Sequence, residues 1–230
     1  MTTWTHPLVV HVRESISRAA RHESKLPPEV MDIVGMSSPK VRHLLNNLCN
    51  RPGTRYLEIG THFGSTLISA IHGNAASLDH VTAIDRFVRD DCRMLDLLAT
   101  LARFAPEQRV QLLAQDSFRT ELGSLAGGYN VYFYDGDHSE EAQKKAITYF
   151  HPALADEFVL VVDDFRRLQV QDGTYAGLIE MGCRTLFDTK LAARSESDRK
   201  LWWNGLFVGV MRKGGMPCGS SSPEQVVAAR

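Results

Sequence analysis

Short apolar runs alternate with helix-like segments along most of this 230-residue chain, and this alternation limits its fold more than any other feature. Five runs that are rich in β-branched and aromatic residues end in turn or polar residues, at 55–59, 80–85, 109–114, 130–135 and 158–163. Helical patterns lie between them, at 65–71, 92–104 and 139–150. This order predicts an α/β fold whose parallel sheet is covered by helices on both faces.

The two ends of the chain differ from this central pattern. Residues 183–188 and 203–211 are strand-like and are separated by a charged stretch, which predicts a terminal antiparallel pair. Before residue 50 the pattern is only helical, at 9–22, 28–34 and 39–48. We therefore divide the chain into a helical N-terminal extension or cap (1–50), a core domain (51–213) and a Gly/Ser/Pro-rich tail predicted to be disordered (214–230).

Composition and charge exclude several classes of protein. The formal net charge is -1, and no segment is dense in Lys or Arg, which argues against a partner that is a nucleic acid or an anionic membrane. The four cysteines form no C-x-x-C pair, and the N-terminus is neither a signal peptide nor a spanning helix. We expect a cytoplasmic protein that acts on a small-molecule substrate, with its N-terminal helices available for contact with a second copy of the chain.

The stretch YLEIGTHFGST, residues 56–66, joins the first predicted strand to the first helix of the core domain. Its glycines, Gly60 and Gly64, are typical of a turn at which backbone approaches a nucleotide closely. The stretch lacks the G-x-G-x-x-G spacing that places a pyrophosphate on a helix N-terminus, and Glu58 would repel phosphate. An acidic residue here suits a ligand that carries an ammonium and a sulfonium group, as S-adenosylmethionine does.

Two further acidic positions extend this predicted ligand site. Asp85 ends the second strand in VTAIDRF, where a carboxylate can accept both hydrogen bonds of a ribose diol. Asp116 and Ser117 follow the third strand, where an adenine edge would be recognised. The alternative is that the two glycines only turn the chain and that Asp85 only caps the next segment.

In these motifs the chain resembles the class I S-adenosylmethionine-dependent methyltransferases, over residues 53–212. LEIGTHFGST is similar to the first motif of that family and AIDRF to the second. The resemblance implies a Rossmann-like sheet of strand order 3-2-1-4-5-7-6 with the last strand antiparallel. It also implies that the cofactor is bound by residues of these motifs, which are Glu58, Gly60, Thr61, Gly64, Ser65, Asp85, Asp116 and Ser117.

A second group of acidic residues follows the fourth and fifth strands, in FYDGDHSEE and VVDDFRR. Asp135, Asp163 and Asp164 close neighbouring parallel strands, so we expect their carboxylates to meet at one edge of the sheet. Like charges so close together are costly without a cation, and no Lys or Arg occupies an immediate ligand position. Carboxylate oxygens select Mg²⁺, Mn²⁺ or Ca²⁺ rather than zinc.

This acidic edge resembles that of the metal-dependent O-methyltransferases, both the catechol and caffeoyl-CoA type and the antibiotic-sugar type. The resemblance implies that Asp135, Asp163 and Asp164 bind the metal ion, and that the ion and a base together activate an acceptor hydroxyl. Asp137 matches the position of the general base in the sugar enzymes, whereas His138 departs from their pattern, so either residue is a candidate base.

Structural roles are the alternative for the same residues. Asp137 and Glu140 fit a capping box at the start of the helix predicted from residue 139, and Asp163 and Asp164 could cap or line the cofactor pocket. Two other functions also remain open, a metal-independent N- or C-methyltransferase and a metal-dependent hydroxylase-like protein on the same fold.

Overall fold

The computed structural model describes residues 5–87, 94–193 and 201–214, and within them the chain forms seven strands and seven α-helices. The strands form one sheet of order β3-β2-β1-β4-β5-β7-β6. Their bounds are Thr54–Ile59 (β1), Leu78–Asp85 (β2), Gln111–Ala114 (β3), Tyr129–Tyr134 (β4), Leu154–Val162 (β5), Arg184–Leu191 (β6) and Leu206–Arg212 (β7).

All neighbouring strands pair in parallel except β7, which is antiparallel to both β5 and β6. The predicted strand order and the predicted direction of the last strand are therefore confirmed. The predicted disordered tail lies outside the described residues apart from Gly214, and so do parts of the charged stretch before β7 and of the helix predicted from residue 92.

The α-helices cover both faces of the sheet. They are Pro7–Ala20 (α1), Pro28–Met31 (α2), Pro39–Leu48 (α3), Ser65–Ile71 (α4), Met94–Phe104 (α5), Glu140–Phe150 (α6) and Leu168–Glu180 (α7). Side chains of α1, α3, α4 and α5 are buried in one hydrophobic cluster with one face of the sheet, while α6 and α7 pack on the other face. None of the helices in the described ranges is long and apolar enough to cross a lipid bilayer.

The helical patterns found in the sequence do not include α7, which lies between β5 and β6. The chain is instead helical from Leu168, and two glycines inside the helix explain the misleading pattern. A methyl group on Gly173 would overlap the backbone carbonyl of Glu140, and one on Gly177 would lie 2.8 Å from the Ile147 side chain. The glycines therefore allow α7 to pack closely against α6, at the cost of a weaker intrinsic helix propensity.

Candidate functional site

A cavity of about 810 Å³ opens at the carboxyl ends of β1, β2, β3 and β4, which is where open α/β sheets bind their ligands. Its volume lies in the range of roughly 300–1,000 Å³ that is usual for small-molecule sites. Seven of the residues predicted from sequence line this cavity, and they are Gly60, Asp85, Asp116, Ser117, Asp135, Asp137 and His138.

The glycine turn after β1 brings two strand ends unusually close together. Gly60 has a φ of 90°, and a methyl group at this position would overlap the backbone carbonyl of Asp135. The Asp135 amide also donates a hydrogen bond to the Ile59 carbonyl, at 2.9 Å. Glycine adopts this φ readily and has no side chain to strike the carbonyl. Gly60 therefore allows the ends of β1 and β4 to form a single wall of the cavity.

Asp85 at the end of β2 holds the glycine turn in place. Its carboxylate accepts hydrogen bonds from the backbone amides of His62, at 2.8 Å, and of Phe87, at 2.7 Å. An ionised carboxylate offers about four acceptor positions, so two remain for a ligand. Asp85 thus lines the cavity as an oriented acceptor, which fits the ribose diol of a nucleoside cofactor.

Glu58 is placed differently from what its motif suggested, because its side chain points away from the cavity toward α4. It is fully buried, and its carboxyl group accepts hydrogen bonds from Tyr56 Oη at 2.5 Å and Thr66 Oγ1 at 2.8 Å. Burial raises the pKa of Glu58 to about 8. The structure therefore places Glu58 out of direct contact with any ligand in the cavity.

Three other motif residues shape the turn without lining the cavity. Thr61 and Ser65 are buried, and Gly64 adopts a φ of 85° at the start of α4. A side chain on Gly64 would overlap Leu97 of α5. These residues fix the path of the backbone into α4, while their neighbours Gly60 and His62 line the cavity.

The residues after β3 lie at another part of the cavity wall. Asp116 accepts a hydrogen bond from the Phe118 amide at 2.9 Å and caps a short 3₁₀ turn, and it also lines the cavity. The Lys145 ammonium of α6 lies 4.7 Å from the centre of the Phe118 ring. This wall therefore offers a ring, a hydroxyl and a carboxylate, which are groups that an adenine could contact.

The predicted acidic edge forms where β4 and β5 end side by side, since the Asp163 amide donates a hydrogen bond to the Tyr134 carbonyl. Burial raises the pKa of Asp135 well above its usual value, and the nearby charges of Asp164 and Asp85 raise it further. Burial and the charge of Asp135 do the same to the pKa of Asp163. The three carboxylates are therefore close enough to repel one another.

Asp164 is compensated by neighbours that the sequence did not indicate. Its carboxylate lies 3.2 Å from the Arg167 guanidinium and 3.2 Å from His138 Nδ1, and it accepts a hydrogen bond from Asn204 at 2.7 Å. Although no Lys or Arg occupies one of the predicted ligand positions, Arg167 therefore pairs with one of the predicted ligands, Asp164. Arg167 was overlooked because it belongs to the loop before α7, which folds back on the end of β5.

His138 occupies the space where the sequence predicted a metal ion. Its Nδ1 faces Asp164, and its Nε2 lies 3.6 Å from an Asp135 carboxylate oxygen. Among residues 5–87, 94–193 and 201–214, no group of three His, Cys, Asp or Glu side chains is placed to hold a metal ion. As arranged here, the side chains do not fit the divalent ion that the resemblance implied, because an imidazole stands between two of its three predicted ligands.

Asp137 is an exposed acidic residue of the cavity wall. Its carboxylate accepts a hydrogen bond from the Ser139 amide at 2.7 Å, and this interaction with Ser139 lowers the pKa of Asp137. Ser139, not Asp137, is the N-cap of α6, since its hydroxyl accepts from the Ala142 amide. The capping box predicted for Asp137 and Glu140 is therefore wrong, and the contact that Asp137 makes within the fold supports the turn before the helix.

Sequence reasoning missed several residues of the cavity wall, including Met36, Phe87, Tyr134, Gly136 and Lys145. Gly136 follows Asp135 by one residue and Phe87 follows Asp85 by two, so the motifs themselves could have indicated that both lie at the cavity. Lys145 lies one and a half turns into α6, and Met36 comes from the segment between α2 and α3. No local pattern connects Met36 with the motifs, and only the tertiary fold brings it to the cavity.

Comparison with known proteins gives a family match for the part of the chain that forms this cavity. Residues 57–165 match a family described as "Methyltransferase domain". No curated protein matches the sequence.

Solved structures with low sequence identity share the fold. Cofactor-bound Rv0187 from MTB is 20% identical with a TM-score of 0.55, and the match covers 91% of each chain. A Staphylococcus aureus protein provisionally described as a caffeoyl-CoA O-methyltransferase is 17% identical with a TM-score of 0.59, covering 89% of this chain and 100% of that one. SAH-bound PaMTH1 from Podospora anserina, a methyltransferase, is 16% identical with a TM-score of 0.57, covering 90% and 88%.

Proposed function

We propose that this chain, a class I S-adenosylmethionine-dependent methyltransferase, methylates a hydroxyl oxygen of a small molecule. The observation that carries the proposal is the position of Asp137, an exposed carboxylate on the cavity wall whose pKa is lowered. A hydroxyl must lose its proton when its oxygen is methylated, and a carboxylate that is ionised at neutral pH can accept that proton.

The cofactor end of the site is built from the turns after β1, β2 and β3. Bound S-adenosylmethionine supplies an activated methyl group on a sulfonium sulfur. Asp85 is oriented by two backbone amides to accept hydrogen bonds from a ribose diol, and Gly60 lets the ligand approach the backbone. Asp116 and Ser117 offer polar groups for the adenine edge.

Of the two candidate bases, the geometry favours Asp137 over His138. The Nδ1 atom of His138 faces Asp164, and its Nε2 atom is buried 3.6 Å from an Asp135 oxygen without a hydrogen-bond partner, so the ring would have to move before an acceptor hydroxyl could reach that nitrogen. Asp137 needs no such movement. A carboxylate with a low pKa is a weak base, but the hydroxyl proton becomes strongly acidic as the oxygen bonds to the methyl carbon.

Metal assistance is the second candidate for this edge, with Mg²⁺ as the expected ion and Mn²⁺ or Ca²⁺ as alternatives. It is favoured by the raised pKa values of Asp135 and Asp163, because a nearby cation would relieve the repulsion between these carboxylates. It is opposed by the position of His138, whose imidazole lies between the carboxylates of Asp135 and Asp164, where the ion would bind. We therefore assign no step of the reaction to a metal.

The test begins with methyl transfer from labelled S-adenosylmethionine to catechols and sugars, with the corresponding amines in parallel. We expect label in the hydroxyl compounds, and label in amines alone would contradict the proposal. With a hydroxyl acceptor identified, Asp137→Asn should lower kcat by roughly 10² to 10⁴ fold, because asparagine keeps the turn but cannot take a proton.

Two controls separate the remaining possibilities. His138→Gln should reduce kcat far less than Asp137→Asn if Asp137 is the base, and the opposite order would make His138 the base. Exhaustive EDTA treatment should abolish turnover, with cofactor binding retained, only if a metal ion takes part. Full activity after EDTA would remove the metal candidate and leave the proposed proton transfer to Asp137 intact.

A further inference from the structure

A second cavity, which we call the groove, is lined by α5, by residues of α2 and the segment after it, and by the glycine turn. Its volume is about 480 Å³, within the range of roughly 300–1,000 Å³ that is usual for small-molecule sites. Among the residues that the structure describes, none lines both the groove and the cofactor cavity. The groove is therefore a separate candidate site.

Much of the groove wall is apolar. Phe63 of the glycine turn, Phe104 of α5 and the aliphatic residues Ile33 and Val34 all line it. Val34 is 70% exposed, so a ligand that covered it would remove apolar surface from water. The Arg103 guanidinium lies 4.6 Å from the centre of the Phe104 ring, which shows that an aromatic face of the groove already accommodates a cation.

Carboxylates outnumber cations along the groove. Glu29, Asp32 and Asp96 line it, and Arg103 is the one basic residue of its described lining. Within residues 5–87, 94–193 and 201–214, neither Glu29 nor Asp96 forms an ion pair. Charge complementarity therefore favours a cation as the occupant, and the rings favour a cation with an apolar body.

The groove and the cofactor cavity lie on either side of the glycine turn. Phe63 lines the groove, whereas His62 lines the cofactor cavity, and the centres of the two rings are 4.3 Å apart. The His62 amide donates a hydrogen bond to the carboxylate of Asp85, at 2.8 Å. A ligand that packs on Phe63 would therefore restrain the turn that contacts Asp85.

We propose that the groove binds a protonated arylalkylamine, with its aromatic body against Phe63 and its ammonium near Glu29 and Asp96, and that this ligand tightens cofactor binding through the glycine turn. The inference rests on cofactor binding in the neighbouring cavity and not on the proposed hydroxyl acceptor. A failure of the proposed reaction would leave its tests unchanged, because they require no methyl transfer.

The first test uses phenethylamine as the probe and hydrocinnamate, an anion of similar size and shape, as its control. Amide NMR spectra are recorded on protein saturated with S-adenosylhomocysteine, which has no methyl group to transfer. We expect shifts that saturate at Phe63 and at residues 96–103, with a Kd of roughly millimolar order, as is usual for a ligand this small. Equal affinity for the anion, or no saturating shift in the groove, would overturn the proposal.

The double variant Glu29→Gln with Asp96→Asn tests the recognition of charge. Both side chains are exposed, so the substitutions should leave the fold intact, and the loss of two exposed charge contacts should weaken phenethylamine binding by about tenfold. Asp188→Asn is the matched control, because Asp188 is an exposed residue of β6 at the far edge of the sheet. An unchanged Kd in the double variant, or an equal loss in the control, would refute a specific site.

Calorimetry tests the coupling between the groove and the cofactor cavity. With saturating phenethylamine, the Kd for S-adenosylhomocysteine should fall by at least about fivefold, and S-adenosylhomocysteine should tighten phenethylamine binding by the same factor. The same amine concentration should change the Kd for S-adenosylhomocysteine much less in the Glu29→Gln, Asp96→Asn protein. A Kd that does not fall in wild type, or that falls equally in the double variant, would refute the coupling.

Discussion

Glu58→Gln separates two functions of the most prominent acidic residue in the glycine motif. Glu58 is fully buried and bonded to Tyr56 and Thr66, so the structure predicts that it supports the fold and does not contact the cofactor. Glutamine has nearly the same shape and can accept a hydrogen bond from one hydroxyl while donating to the other. The substitution therefore removes the charge of the ionised form and keeps the packing.

The pKa of Glu58 determines the sign and size of the effect on stability. It rises from 4.5 to about 8 because burial disfavours the charged form. The folded protein thus holds a proton that the unfolded chain has released between these pH values, and the free energy of unfolding falls as the pH rises. Glu58 contributes a loss of about 1.4 kcal/mol for each pH unit in this interval.

Urea unfolding at pH 6 and pH 7 measures this difference directly. Asp135 and Asp163 also have raised pKa values, so both proteins should lose stability with rising pH, but wild type should lose about 1.4 kcal/mol more than Glu58→Gln over that unit. The Kd for S-adenosylhomocysteine should stay within about threefold of wild type, since no charged contact is lost. Equal pH slopes together with a tenfold or greater loss of affinity would show that Glu58 is ionised and contacts the cofactor.

Two further predictions test the cofactor end and the packing of the helices. Asp85→Ala should weaken S-adenosylhomocysteine binding by about 1 to 3 kcal/mol, because it removes the ribose acceptor and releases two backbone amides of the turn, and calorimetry that shows unchanged affinity would contradict this role. Gly177→Leu should lower the free energy of unfolding, measured by denaturant titration, by about 1 to 3 kcal/mol or more, because the new side chain would overpack the contact of α7 with Ile147 and the Lys144 carbonyl. Ile179→Ala, on the exposed side of α7, is the control and should have little effect in the same titration.

The central fold could be predicted from sequence because its local signals agree with one another. Each parallel strand is a short apolar run, and helical patterns follow the first, second and fourth of these runs, so the periodicity of the sequence indicates the layers. This reasoning failed for α7, because Gly173 and Gly177 are typical of loops in the sequence, and only their close contact with α6 explains why a helix contains them. Tertiary packing there overrides local propensity, and a single sequence does not reveal which helix will supply the partner surface.

The sequence could predict those residues of the site whose place at the cavity depends only on the position of the backbone. Asp85 is the last residue of β2, and a residue at that point of a parallel sheet lies at the ligand edge. The direction of a side chain was harder to infer, because Glu58 lies one residue before Ile59 and points to the opposite face of the sheet from it. Met36 gave no signal at all, since its place in the cavity wall depends on how the segment before α3 folds over α4.

Asp135 connects the cofactor end of the cavity with the acidic edge, where we propose that the acceptor binds. Its backbone carbonyl lies against Gly60 of the cofactor turn, its amide bonds to Ile59, and its carboxylate faces His138 at the acceptor edge. Methyl transfer requires the acceptor oxygen and the sulfonium to be aligned, and a misplacement of about 1 Å can cost a hundredfold in rate. If the acceptor binds beside Asp137 as we propose, that alignment is set by the pairing of β1 with β4 and not by mobile loops. Gly60→Ala would then harm both ends at once, because the methyl group would force the cofactor turn away from the strand that carries the acidic edge.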